Sequence, residues 1–262
     1  MDQVKKYIDR VESALELANK DQTKLTENQL SKFNGLSGKR IRILLNELIK
    51  EDTRYLEVGT FTGSTFVSAL YGNNPVSATV VDSFAAGDTW EMDLKVDVEY
   101  HGIKVKNGLF LLFLENCLRN NVKNFTCIQG DCFSLPQPDK FEIRDIDTYL
   151  FDGGHTRDDH IRALTSYINN MDDVFIYIVD DWNNAEVREG TRVGIESCFL
   201  KVHKEWEIFS EIKTIDNAIH YDKNWWNGYY VAVCQKQVDF FPSEEEEDIK
   251  PIWGTITDKI GE

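Results

Sequence analysis

Basic residues are scarce in this 262-residue chain: 29 Lys and Arg stand against 45 Asp and Glu, a formal net charge of −16. A surface of that sign repels phosphate backbones, so DNA and RNA are disfavoured as partners unless a local basic patch overrides the global field. Long apolar runs are also missing. None approaches the roughly 20 residues of a membrane span, and Met1–Asp9 is charged rather than signal-like, so no membrane partner and a cytoplasmic location are expected. The five cysteines, Cys117, Cys127, Cys132, Cys198 and Cys234, are odd in number and contain no Cys-x-x-Cys pair. That argues against a zinc site or disulfide framework and predicts buried thiols in a reducing compartment. Two glycine signatures are absent as well. Without Gly-x-Gly-x-x-Gly there is no dinucleotide fingerprint, and without Gly-x-x-x-x-Gly-Lys-Ser/Thr no loop whose lysine meets terminal phosphates.

From about Thr53 the chain alternates strand-like and helix-like runs, the pattern of a parallel sheet with crossover helices. Strands are expected at 54–58, 78–82, 125–129, 147–151 and 174–179, and a closing hairpin at Trp206–Ile215 and Tyr229–Gln235 around Asn224 and Gly228. The fold class is α/β, doubly wound and Rossmann-like. Apolar residues at helical spacing (Val4, Tyr7, Ile8, Val11, Leu15, then Ile41, Leu44, Leu45, Leu48) predict two helices in an N-terminal cap over 1–50. The polar stretch Gln22–Lys39 between them is a candidate cover for a ligand. The main domain is expected over 51–240, with an acidic, solvated tail over 241–262. The region 85–108 reads as a lid or insertion. Leu109–Leu114 opens a helix apolar nearly all round; core packing is one reading and a homo-oligomer interface the other.

One stretch says most about ligand chemistry: Tyr55-Leu56-Glu57-Val58-Gly59-Thr60-Phe61-Thr62-Gly63-Ser64. It reads as a buried strand, an acid, a two-glycine turn and a helix start. Glu-x-Gly-x-x-x-Gly makes a wide turn able to lie against a ligand without phosphates, with a carboxylate suited to a cation. S-adenosylmethionine, a sulfonium with an amino-acid tail, meets both demands, and Gly59, Thr60, Phe61, Gly63 and Ser64 are its candidate contacts beside Glu57. Asp82 ends the second strand about 20 residues on, where an acid accepts from a ribose diol. Asp131, in Gln129-Gly130-Asp131-Cys132-Phe133, is placed to accept from an adenine amino group, with Cys132 and Phe133 bordering the base.

The next strand ends carry the reactive groups. Phe151-Asp152-Gly153-Gly154-His155 sets a carboxylate and an imidazole three residues apart, and Val179-Asp180-Asp181-Trp182 brings two more carboxylates to the neighbouring strand end. Three converging carboxylates repel unless a cation joins them, and hard oxygen ligands suit Mg²⁺ or another divalent ion. Asp152, Asp180 and Asp181 are therefore candidate metal ligands, and His155, with Asp152, the candidate catalytic pair; an imidazole near pKa 6.5 suits a general base at neutral pH.

In this order, Glu57-x-Gly59-x-x-x-Gly63, Asp82, Gly130-Asp131, Asp152-Gly153-Gly154-His155 and Asp180-Asp181 resemble the successive motifs of class I S-adenosylmethionine-dependent methyltransferases over residues 53–235. The Asp-Gly-x-His and Asp-Asp elements most resemble methyltransferase family 24 and the metal-dependent sugar O-methyltransferases of macrolide biosynthesis. The resemblance implies a seven-stranded sheet whose last strand is antiparallel, with Glu57, Gly59 and Gly63 at the methionine part, Asp82 at the ribose and Asp131 with Cys132 at the adenine. It also implies Mg²⁺ on Asp152, Asp180 and Asp181 with His155 as base, and O-methylation of a small molecule or saccharide. The residues leave two alternatives open: metal-free N- or C-methylation, and a non-catalytic S-adenosylmethionine-binding protein.

Overall fold

The strands that begin at Arg54 pair into a single seven-stranded sheet, and they do so because each is a short apolar run closed by a polar residue. The computed structural model describes residues 2–31, 35–85, 98–100, 103–105, 108–134, 143–210 and 225–237. The tail 241–262, most of the 85–108 region and residues 211–224 lie outside these. Within them, β1 (Arg54–Val58), β2 (Ser77–Asp82), β5 (Thr126–Gln129), β6 (Ile146–Phe151), β7 (Met171–Val179), β8 (Leu200–Ile208) and β9 (Tyr229–Lys236) lie in the spatial order β5-β2-β1-β6-β7-β9-β8. The first five run parallel; β9 is antiparallel to β7 and to β8. The expected α/β sheet with an antiparallel last strand is thus the observed one. A separate two-stranded antiparallel hairpin, β3 (Val98–Tyr100) with β4 (Ile103–Val105), falls within the region expected to be an insertion.

One strand sits elsewhere than its sequence suggests. The expected Trp206–Ile215 strand begins six residues earlier, at Leu200, and ends at Ile208. Its register against β9 shifts between Val202 and Lys204. An irregularity of that kind breaks the period-two pattern by which strands are found.

Side chains alternate across the sheet and build two apolar layers. Tyr55, Leu150, Ile176, Ile178, Val231 and Val233 join one layer, and Leu56, Val58, Tyr149, Phe151, Tyr177 and Val179 the other. The first layer includes the N-terminal helices. In α1 (Gln3–Asn19) the residues Tyr7, Val11, Ala14, Leu15 and Ala18 are buried, and in α3 (Lys39–Leu48) Ile41, Leu44, Leu45 and Leu48. The short α2 (Glu27–Ser31) lies between them, and α4 (Ser64–Leu70) and α5 (Leu109–Arg119) complete this side. Helix α5 buries Leu109, Phe113 and Cys117 while Leu111 and Leu118 stay exposed. On the other face α6 (Arg157–Thr165) and α7 (Ala185–Ser197) pack closely: a Cβ on Gly190 would stand 2.2 Å from the Arg157 carbonyl oxygen. Among the described residues no helix is long and apolar enough to cross a membrane.

Candidate active site

Parallel strands deliver their carboxyl ends to one sheet edge, where open α/β sheets bind ligands. A cavity of about 610 Å³ runs along this edge, within the size range of small-molecule sites. Its wall follows the strand order: Asp131–Phe133 after β5, Asp82–Ser83 after β2, Gly59 and Phe61 after β1, Asp152–His155 after β6, Asp180–Asp181 after β7, and Trp226–Asn227 just before β9. Leu36, from the segment between α2 and α3, lines it too.

The β1 turn is shaped by close backbone approach. Gly59 has φ +81°, and a Cβ there would stand 1.8 Å from the Asp152 carbonyl oxygen; only glycine lets the ends of β1 and β6 come this near. Asp82 ties the turn to β2: its Oδ2 accepts from the amides of Thr60 (2.6 Å) and Phe61 (2.8 Å), and Oδ1 from that of Phe84 (2.5 Å). Burial raises its carboxyl above the usual value against those three bonds. The carboxylate expected at a ribose thus lines the cavity while also bracing the loop.

Several expected cofactor contacts lie behind the wall. Glu57 is fully buried and does not line the cavity; the Tyr55 hydroxyl donates to Oε2 (2.5 Å) and the Thr65 hydroxyl to Oε1 (2.7 Å). As the fourth residue of a five-residue strand it points into the layer between sheet and α4, so the expectation of a carboxylate at the mouth of the turn is corrected to one beneath it. Burial pushes it up to about 7. Gly63, at φ +85°, makes room for the Phe113 ring, 2.7 Å from where a Cβ would be. Thr60 and Ser64 are buried, and the Ser64 hydroxyl bonds that of Ser37 (2.7 Å). On the β5 side Asp131, Cys132 and Phe133 do line the cavity. Asp131 accepts from the Phe133 amide (3.1 Å) and the Ser134 hydroxyl. Burial pushes the Cys132 thiol up to about 12, which leaves no thiolate for chemistry. The Arg162 guanidinium stands 4.1 Å from the centre of the Phe133 ring.

At the other end three carboxylates and an imidazole converge. His155 Nε2 lies 2.7 Å from Asp181 Oδ2, and Asp181 Oδ1 accepts from the Asn227 side-chain amide (2.6 Å). Burial works against the charged form of Asp181, but the His155 and Asn227 bonds outweigh it and hold the carboxyl below its usual value. The same bond to Asp181 raises His155. Asp180 is almost fully buried, with Oδ1 accepting from the Asp181 amide (2.6 Å) and Oδ2 from the Tyr229 hydroxyl (2.8 Å). Burial, then the Asp181 charge, pushes it up to about 8. Asp152 rises far above the carboxylate range through burial and the charges of Asp180 and Asp181. Without a cation, then, the His155 bond favours the charged form of Asp181, while burial and neighbouring charge favour the neutral forms of Asp152 and Asp180.

One donor atom each from Asp152, His155 and Asp181 lie within 4.8 Å of one another; Asp180 is not in that group, and its two oxygens, like those of Asp181, already have partners. Of the expected residues, Gly59, Phe61, Asp82, Asp131, Cys132, Asp152, His155, Asp180 and Asp181 meet at one cavity; Glu57, Thr60, Gly63 and Ser64 support it from beneath. Asn227, Tyr229, Leu36 and Asp159 were not named from the sequence as parts of the site. Leu36 falls in the Gln22–Lys39 stretch expected to cover a ligand, Asn227 in the loop containing Asn224 and Gly228, and Tyr229 in the strand after it; Asp159 had no signal.

No known family profile matches the sequence, and no curated protein matches it. Among solved structures the fold is similar to an O-methyltransferase from Bacillus cereus in complex with SAH, with a TM-score of 0.54 at 11% identity over 87% of this chain and 100% of that one. Two further similar structures are M. jannaschii TYW2 in complex with AdoMet (TM-score 0.49, 10% identity, 83% and 80% of the two chains) and M. capricolum TrmK in complex with S-adenosyl-homocysteine (0.48, 14%, 78% and 70%). At these identities the likeness is one of fold alone, a Rossmann-like α/β sheet.

Proposed function

We propose that the protein transfers the methyl group of S-adenosylmethionine to a hydroxyl of a small molecule or saccharide. The observation that carries this reading is the Asp152–His155–Asp181 cluster at one end of a cavity whose other end is walled by Gly59, Asp82 and the β5 turn. The cavity size, the absence of a phosphate-binding glycine pattern and the acidic wall suit a cationic, phosphate-free nucleoside. Asp82 would meet its ribose, and Asp131 with Phe133 its adenine. Asp152, beside Gly59, takes the place expected of Glu57 at the methionine end. When bound, S-adenosylmethionine supplies a methyl on a positively charged sulfur that departs as a neutral thioether.

The chain's own contribution is to hold the acceptor and take its proton. Asp181 accepts from the His155 Nε2–H, which leaves Nδ1 as the basic nitrogen, the way a carboxylate fixes the tautomer of a catalytic histidine. Nδ1 receives the hydroxyl proton as the oxygen–carbon bond forms and the carbon–sulfur bond breaks, its electron pair staying on sulfur. Alignment by the cavity walls makes the attack effectively unimolecular.

The donor set also fits a divalent cation: clustered oxygens and an imidazole, with two carboxyls that burial and neighbouring charge push toward their neutral forms in its absence. Asp152 and Asp181 would hold it, and it would supply positive charge to an oxygen losing its proton. The 4.8 Å cluster favours a second assignment in which His155 is a ligand rather than the base. Calorimetric titration of Mg²⁺ into wild type and His155→Ala separates the two, since only a ligand role predicts lost affinity. The narrower likeness to methyltransferase family 24 and the macrolide sugar enzymes rests on the Asp-Gly-x-His and Asp-Asp residues alone.

The deciding measurement is methyl transfer from radiolabelled donor to a panel of hydroxyl acceptors, with EDTA and with His155→Ala. The expected loss is at least about 100-fold for the variant. Undiminished rates under both conditions would sink the mechanism.

A further inference from the structure

The sequence offers several tryptophans near the sheet edge, and their positions separate them. Trp182 and Trp225 are buried, the former stacked on Tyr230 with ring centres 4.4 Å apart. Trp226 is half-exposed and lines the cavity, alone among the described tryptophans. Its backbone lies at φ +44°, a left-handed conformation that a bulky side chain occupies only when its surroundings impose it.

The imposing contacts are on either side. The Trp225 carbonyl accepts from the Gly228 amide (2.7 Å), and the Gly228 and Asn227 carbonyls accept from the amides of Trp182 (3.1 Å) and Asn183 (2.8 Å). The turn before β9 is thereby fastened to the turn after β7. Asn227, the next residue after Trp226, donates to Asp181, the partner of His155. The indole is thus carried by the same turn that fixes the proton-handling pair. Strand order sets it apart from the donor's nucleoside. Five strand steps separate β5 from β9, about 24 Å at ordinary strand spacing, so a ligand seated between β5 and β1 leaves the β6–β9 end to a second one.

The charge of the wall narrows what that second ligand is. Asp82, Asp131, Asp152, Asp159, Asp180 and Asp181 all line the cavity, and no lysine or arginine does so among the described residues. Among the described lining residues His155 is the one side chain that can carry positive charge. An anionic acceptor would enter against that field with no lysine or arginine among those residues to meet it. An indole face at the same place favours a flat apolar surface, whether an aromatic ring or the C–H face of a sugar.

We propose that Trp226 is the acceptor platform of this site, and that the acceptor is an uncharged molecule whose hydroxyl adjoins a ring with a flat apolar face. The proposal rests on the methyl-donor reading and specifies its acceptor.

Saturation-transfer NMR titrations test it on the full chain saturated with S-adenosylhomocysteine, without added metal. Two probes are used, phenyl β-glucoside, which is neutral and carries both kinds of ring, and phenyl sulfate, its anionic counterpart. Wild type should bind the glucoside, Trp226→Phe should retain it within about threefold, and Trp226→Ala should weaken it about tenfold. Phenyl sulfate should bind wild type at least about tenfold more weakly than the glucoside. Whichever ring receives more saturation identifies the face that stacks. Calorimetry with S-adenosylhomocysteine should give the same affinity in all three proteins, which shows that the donor end is intact. No glucoside binding to wild type, equal glucoside binding by Trp226→Ala, or phenyl sulfate binding as tightly would each overturn the acceptor assignment. Failure of S-adenosylhomocysteine to bind wild type would instead overturn the methyl-donor reading beneath it.

Discussion

Replacing Gly59 by alanine should damage both ends of the cavity at once, because this residue is where the β1 turn touches Asp152. The new Cβ would lie 1.8 Å from the Asp152 carbonyl oxygen and 2.5 Å from its carbonyl carbon, with φ held at +81°. Backbone must therefore retreat by more than about 1 Å to restore van der Waals separation. That backbone carries two sheet bonds, from the Asp152 amide to the Val58 carbonyl (2.8 Å) and from the Gly59 amide to the Val81 carbonyl (2.9 Å). A left-handed non-glycine residue costs about 1–2 kcal/mol and an overpacked site about 1–3, so the variant should lose about 2–5 kcal/mol. Gly72 is the control: it has φ +65°, but its nearest neighbour is Lys24 Cε at 3.8 Å, so Gly72→Ala should show only the conformational share, about 1–2 kcal/mol. Urea unfolding followed by circular dichroism measures both, and calorimetry with S-adenosylhomocysteine measures binding, expected to weaken at least about tenfold for Gly59→Ala alone. Equal destabilisation of the two variants, or wild-type binding by Gly59→Ala, would refute the argument that this glycine exists for the approach to Asp152.

Two further perturbations test what lies beneath the site. Glu57 is raised to about 7 when folded, so the folded protein keeps a proton that the unfolded chain gives up. Stability should fall as pH rises from about 4.5 to about 7, by at most about 3 kcal/mol, and Glu57→Gln should lack this part of the slope. Identical pH slopes for the two proteins in urea titrations would show that Glu57 does not titrate late. Arg42, buried in α3, donates to the Ser37 hydroxyl (2.8 Å) and to the carbonyls of Ser37 (3.0 Å), Leu30 (3.3 Å) and Gln29 (3.4 Å), and so holds the segment that brings Leu36 to the cavity. Arg42→Met should cost about 2–4 kcal/mol through the acceptors left unpaired and weaken S-adenosylhomocysteine binding; an unchanged affinity would mean that Leu36 is held by other means.

Strands β1, β2, β6 and β7 were legible because most of their residues on both faces are buried, and burial writes itself as an apolar run with a polar residue at its end. Once those runs were placed, the acids after them had to share an edge. What the sequence did not disclose is how deep each acid sits. Glu57 and Asp82 lie on one face of neighbouring strands, yet one carboxylate lies under α4 and the other lines the cavity, because Glu57 pairs with Val80 and Asp82 stands two residues nearer the carboxyl edge. Gly63 has the spacing of a ligand-binding glycine but serves the Phe113 ring, a contact 50 residues away. The bonds that set the protonation of Asp180 and Asp181 come from Tyr229 and Asn227, which reach them only because β9 runs back along β7 with Tyr230 opposite Val179.

The conformational exceptions of the chain point the same way. Asn and Asp tolerate the left-handed region, and Asp21, Asn121 and Asn124 occupy it unremarkably in turns. Aromatic residues do not, yet Phe61, Phe84, Phe199 and Trp226 are found there. Phe61 and Trp226 line the cavity, and the Phe84 amide is held by Asp82. Buried carboxyls at Asp152 and Asp180 add a second departure from what stability alone would select, since apolar residues at those two strand ends would bury without a desolvation cost. A sheet edge needed only to close the fold has no use for either departure. Phe61 and Phe84 follow β1 and β2, while Asp152, Asp180 and Trp226 stand at the ends of β6, β7 and β9, so both halves of the cavity carry such departures.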